Sequence, residues 1–162
     1  MSKTEFKQII NVSKERTWEV LFSQYGDIHI HNPGMPISKY VGNSTKGELN
    51  AKRYCTFNDK LNLEEKITEV DELKSFKVVV YEHNLPFMKE MSAIYELSSI
   101  GDDKTELKMT SIVSTSPSFM IYMMKGQLGK GLIKHLFGLK YYLETGKIVN
   151  NDDYLKTFKS YK

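Results

Sequence analysis

The chain has 162 residues, 40% of them hydrophobic and 27% charged, with a net charge of +3; this length fits one domain burying roughly 70% of the surface its unfolded chain exposes. Lysines spread along the whole chain argue against a nucleic-acid-binding face, and a single cysteine, Cys55, excludes an intrachain disulfide. No apolar run approaches the ~20 residues of a membrane span, and MSKTEFKQII at the start lacks the apolar stretch of a signal peptide, so a cytoplasmic protein is expected.

Residues 4–12 read as a first strand. Ser13 is a helix N-cap with Glu15 in the first turn, and Trp18, Leu21, Phe22 and Tyr25 recur at helical spacing until Gly26. Residues 28–36, closed by two prolines and a glycine, form a loop or a one-turn helix. The period then changes to two, predicting strands near 37–46, 51–58, 61–71, 74–84, 90–99 and 105–115, with turns at Asn58-Asp59, Asp71-Glu72 and Gly101-Asp102-Asp103. The link 83–89, with Pro86 and Phe87, reads as a longer rim loop. Pro117 stops the last strand and Ser116 or Ser118 caps a long helix over 118–146, whose stripe is Leu128, Leu132, Leu136, Leu139 and Leu143. Gly126, Gly129 and Gly131 each cost ~1 kcal/mol against alanine in a helix, so a kink is expected there. In the polar tail, Tyr154, Leu155, Phe158 and Tyr161 suit a short helix docked on the body.

Alternation sorts the strands into faces. Arg53, Cys55 and Phe57 share one side of their strand, as do Leu63, Glu65 and Ile67, Met91, Ala93, Tyr95 and Leu97, and Leu107, Met109, Ser111 and Val113. In 74–84 both parities are apolar; we place Tyr81 on the face of Tyr95. This set mixes bulky apolar groups with Arg53, Glu65, Tyr81, Tyr95 and Ser111. A dry core avoids such groups, whereas a ligand cavity supplies partners for them. Arg53 and Glu65 either pair across adjacent strands, meet a ligand, or do both.

Four patterns carry a resemblance: VSKERTWEVLFSQYGDI (12–28), GELNAKRYCTF (47–57) with its arginine, LEEKITEVDE (63–72) and GKGLIKHLFGLKYYLETG (129–146). In this order the chain resembles the START-like, helix-grip superfamily (SRPBCC), and within it the polyketide cyclase/dehydrase-like branch. The resemblance implies an α+β fold: a seven-stranded antiparallel sheet curved around a long C-terminal helix, two short helices between strands 1 and 2, and a hydrophobic cavity. It covers 1–146 as one ligand-binding domain; the tail 147–162 departs from the pattern. Members bind or transform lipids, polyketides, quinones and other apolar molecules.

The expectation that follows is a small apolar ligand between sheet and helix. Its wall would comprise Phe57, Tyr81, Tyr95, Met109, Phe119, Tyr122, Met123 and Leu132, with Arg53 and Glu65 as polar groups and loops 28–36 and 83–89 at the mouth. No catalytic signature, cofactor motif or metal-ligand set is present; His29 and His31 lack companions nearby in sequence. A cyclase or dehydratase using the cavity Tyr, Glu and Arg groups is the alternative, and a co-chaperone-like interaction domain, with Met120, Met123, Met124, Phe87 and Met88 as its surface, is the third. An open sheet edge allows a homodimer.

Overall fold

Strand β1 (Ser2–Ile10) runs into helix α1 (Lys14–Trp18), whose first turn is capped as its sequence predicts: the Ser13 hydroxyl accepts from Arg16 N at 3.3 Å. The computed structural model describes residues 1–161, so the tail expectation 147–162 is described up to Tyr161 and Lys162 lies outside the described residues. A wide helical turn (Glu19–Ser23) and a 3-10 turn (Tyr25–Ile30) continue the chain to β2 (Ile37–Tyr40). Then come β3 (Lys52–Thr56), β4 (Asn62–Asp71), β5 (Ser75–His83), β6 (Met88–Gly101) and β7 (Lys104–Thr115). Helix α2 spans Met120–Thr145 and α3 spans Tyr154–Ser160.

The sheet has seven antiparallel strands in the order β1-β7-β6-β5-β4-β3-β2, so every neighbour after the first pair is a sequential hairpin. β2 is shorter than its alternation suggests. From Val41 the chain turns instead, held by Ser44 N to Val41 O at 3.4 Å and Lys52 N to the Ser44 hydroxyl at 2.9 Å. Gly47 has no room for a side chain there, since a Cβ would meet Phe22 O at 1.6 Å.

The concave face carries Phe76, Val78, Tyr95, Leu97, Leu107, Met109 and Ile67, closed at one end by Trp18, Leu21, Phe22 and Tyr25 and covered by Leu136 and Leu139 of α2. Trp18 stacks on Phe22 and meets Phe76 edge-on, with centroids 4.4 and 5.7 Å apart. Arg53, Glu65, Ile67, Tyr95, Met109 and Val113 all point inward, as alternation requires. Tyr81 does not. Glu64 pairs with Glu82 but Glu65 pairs with Val80, so Tyr81 is the extra residue of a β-bulge. The bulge is not what turns it: Phe76 and Val78 are the buried parity of β5, so alternation carried on from them puts Tyr81 on the outer face, where its hydroxyl donates to Glu64 at 2.5 Å and Lys52 lies over its ring.

Two further expectations fail in α2. The helix is unbroken from Met120 to Thr145 despite its glycines. A Cβ added at Gly126, Gly129 or Gly131 would meet nothing within 4 Å, so packing imposes no kink, and helix propagation absorbs the propensity cost. The N-cap is Phe119, without a side-chain cap; neither Ser116 nor Ser118 caps it, and the Thr115 hydroxyl instead donates to the carbonyl oxygens of Pro117 and Ser118. Gly146 ends the helix at φ 72°. α3 docks through Tyr154, packed with Phe137 and Val149, and the Tyr161 hydroxyl donates to Glu144 at 2.9 Å. Among the described residues no helix is long and apolar enough to cross a membrane.

Candidate functional site

Polar groups from five elements converge beneath α2. Arg53 on β3 donates from Nε to Glu65 Oε1 on β4 at 2.5 Å, and its Nη2 contacts the same oxygen. The pair is directly cross-strand. Arg53 Nη1 donates to the Tyr25 carbonyl at 2.6 Å, and the guanidinium lies 3.9 Å from the centre of the Tyr25 ring. Burial is the largest single influence and works against the Arg53 charge, but Glu65, with smaller contributions from Tyr25, Cys55 and Tyr95, more than offsets it and the guanidinium is held charged. Each guanidinium nitrogen is thus committed, and the pair is neutral as a unit.

Beside it, the Tyr95 hydroxyl on β6 lies 3.1 Å from His135 Nε2 on α2, and the His135 ring stacks on His31 at 5.9 Å. Burial pushes His135 down to about 3, with Arg53 adding to the effect. Burial, then His135 and Arg53, also hold His31 well below the usual histidine range. Both rings are neutral at pH 7. A neutral imidazole carries one proton. If Tyr95 donates to Nε2, the His135 Nδ1–H has no acceptor; if Nε2 donates, Nδ1 is a bare acceptor. Either way Nδ1 is unmet, and so are His31 Nδ1 and the Tyr25 hydroxyl, all buried. Burial raises Tyr25 and Tyr95 above the usual phenol range and pushes the Cys55 thiol up to about 12, so all three stay protonated.

The His31 segment is pinned to α2 by a glycine. A Cβ at Gly138 would meet His31 O at 2.0 Å and Pro33 Cδ at 2.7 Å, so only glycine lets the loop press this close. His29 stays outside the cluster, bound to Ser38, whose hydroxyl donates to Gly26 O at 2.8 Å.

Of the side chains expected at the site, Arg53, Glu65, Tyr95 and Met109 come together on the concave face. Phe57 is half-buried against Ile28, Cys55 and Leu63, and Leu132 is half-buried against the main core. Tyr81 lies on the opposite face, and Phe119, Tyr122 and Met123 are exposed on the far side of α2. In the first turns of α2, Met120, Met124 and Leu128 are half-buried, and the exposed three lie on the other side of the helix. Two surface grooves, of about 330 and 410 Å3, lie along β1, α2 and α3, and none of their lining residues belongs to the polar cluster. Tyr25, His31 and His135 are the residues that sequence reasoning passed over. His135 had a signal: it falls on the stripe of Leu128, Leu132 and Leu139, where a polar residue is out of place.

No protein-family model matches this chain, and no curated protein matches it by sequence. Solved structures do. The chain is similar to the Zhui aromatase/cyclase of Streptomyces sp. R1128, with TM-score 0.73 at 11% identity over 91% of this chain and 99% of that one. It is similar to a START superfamily protein of Mycobacterium smegmatis, with TM-score 0.69 at 14% identity over 87% and 98%. It is also similar to truncated norcoclaurine synthase of Thalictrum flavum, with TM-score 0.67 at 14% identity over 90% and 95%. The fold is the helix grip that these solved structures share, a seven-stranded antiparallel sheet with a long C-terminal helix.

Proposed function

We propose that the chain binds a small, neutral, mainly apolar molecule whose one oxygen function, a carbonyl or hydroxyl, meets Tyr25, His31 and His135. The observation that carries this reading is the trio of buried, unpartnered polar atoms on those residues. An unmet buried polar atom costs about 1–3 kcal/mol, and a ligand oxygen in their midst would lower that cost. Arg53 and Glu65 serve as a neutral scaffold, because their charges already satisfy one another. Among the described residues a carboxylate ligand would find no free cation at this cluster, so a neutral one is favoured. Met109, Leu132 and Phe57 supply apolar wall on the sheet and helix sides. Similar folds include an aromatase/cyclase and norcoclaurine synthase, whose names denote work on small organic molecules.

Acid–base catalysis is a second reading, favoured by the contact between Tyr95 and His135. A general base works best with a pKa near the operating pH, and His135 at about 3 is far from it. Binding is therefore the stronger reading.

Mass spectrometry of the protein purified under native conditions is expected to find a neutral oxygenated molecule. Thermal unfolding with neutral ketones should show stabilisation of about 2.7 kcal/mol at a hundredfold excess over Kd, absent with the matching carboxylates. Met109→Trp, which adds bulk directly opposite Tyr95, should abolish the shift with the fold retained. Equal shifts for Met109→Trp and the parent, or stronger shifts with carboxylates, would overturn the reading.

A further inference from the structure

We infer that the outward face of the first half of α2, together with the β5–β6 loop, docks on an anionic lipid surface. Two protruding segments meet at this end of the sheet: Ser116 N donates to the Phe87 carbonyl at 2.9 Å, which sets the loop tip beside the start of α2. Phe87, Phe119, Tyr122 and Met123 are 51%, 59%, 83% and 73% exposed. Phe119, Tyr122 and Met123 stand at i, i+3 and i+4, on the side of the helix opposite the half-buried Met120, Met124 and Leu128. The same outward face continues through the exposed Ile133 to Phe137, which α3 covers with Tyr154 and Phe158. The tail therefore shields the second half of an apolar helix face and leaves the first half bare.

Charge decides what suits the bare half. No acidic residue occurs between Glu106 and Glu144, whereas Lys125, Lys130, Lys134 and Lys140 all fall on α2, and Lys89 follows the loop tip. Lys125 and Lys130 are exposed and flank the apolar residues. An apolar helix face edged by lysines, with aromatic rings at its end, matches the interface of an anionic bilayer: rings and methionines enter the headgroup boundary while lysines reach phosphates and carboxylates. The face is convex, which a deformable lipid surface accommodates without a matching groove. This inference does not depend on the ligand proposed above.

The test is co-sedimentation with vesicles of phosphatidylcholine alone and of phosphatidylcholine with phosphatidylserine in equal parts. The protein should pellet with the mixed vesicles, remain largely free with phosphatidylcholine alone, and be released by high salt. Phe119→Ser with Met123→Ser should weaken binding about tenfold or more, given the worth of one buried apolar side chain. Lys125→Glu with Lys130→Glu should remove the preference for phosphatidylserine. Leu49→Ser, an exposed apolar residue in the loop at the opposite end of the sheet, is the control and should bind like the parent. These side chains are exposed, so circular dichroism should be unchanged; Tyr122→Trp offers an independent readout, its emission shifting to the blue on vesicles while the buried Trp18 stays constant. Parent protein left in the supernatant with mixed vesicles, or variants that bind like the parent, would overturn the inference. So would a dimer that Phe119→Ser with Met123→Ser dissociates in a parent that ignores vesicles, since a second copy would then be the occupant.

Discussion

Arg53 and Glu65 show how one residue's charge depends on its cross-strand neighbour. Both are buried, and each is tolerable only because the other is there. Glu65→Gln would leave the guanidinium without its counter-charge, and a broken buried pair costs about 3–5 kcal/mol. Replacing both together, Arg53→Met with Glu65→Met, should cost clearly less than the sum of the single changes. Urea unfolding of the three variants checks this; strict additivity would mean that the two side chains are independent. Their shared face was legible in the sequence, because plain alternation runs through 53, 55 and 63, 65, 67 without interruption. Tyr81 was not legible: its strand is apolar on both parities, and it is Phe76 and Val78 that face inward, which leaves Tyr81 outside. His31 and His135 are far apart in sequence and meet only because Gly138 admits the loop, so their partnership leaves no local trace.

At the scale of the element, α2 shows that a helix outlasts poor local propensity when its neighbours hold it. Its second half is anchored by Leu136 and Leu139 in the core, by Gln8 Nε2 donating to Leu136 O at 2.7 Å, and by Lys140 donating to the Ile9 carbonyl. The glycines lie in the first half, facing open space. Changing Gly126, Gly129 and Gly131 together to alanine should therefore stabilise the protein, by about 2–3 kcal/mol in total, read as a rise in thermal midpoint. A fall would mean that the glycines are needed for contacts or bending that the folded chain uses. The glycine run suggested a break because propensity is a local quantity, whereas continuity of the helix is secured some residues further on. The terminal stripe at Leu128, Leu132, Leu136, Leu139 and Leu143, by contrast, announced the helix itself, and the hairpin turns announced the strands.

For the whole molecule, the buried histidines set a pH limit. The unfolded chain protonates His135 near 6.5, while the folded one holds it neutral down to about 3, and His31 is depressed in the same direction. Between those values the unfolded state binds more protons. Stability is then full above pH 6.5 and falls with acidification, by about 1 kcal/mol per pH unit for each histidine. Urea midpoints at pH 7 and pH 5 should show the loss, and His135→Phe should make the slope shallower; a midpoint that rises toward pH 5 would contradict the neutral assignment. The order of elements also has a temporal side. β1 lies against β7, Ser2 opposite Val113 and Ile10 opposite Thr105. During synthesis β1 thus leaves the ribosome long before its partner β7 exists, a delay on the order of ten seconds at typical elongation rates. Meanwhile the consecutive hairpins from β2 to β6 form, with Phe6 and Ile10 left bare. The stretch of this chain with the greatest call on a chaperone is therefore residues 2–10, at the opposite edge of the sheet from Arg53.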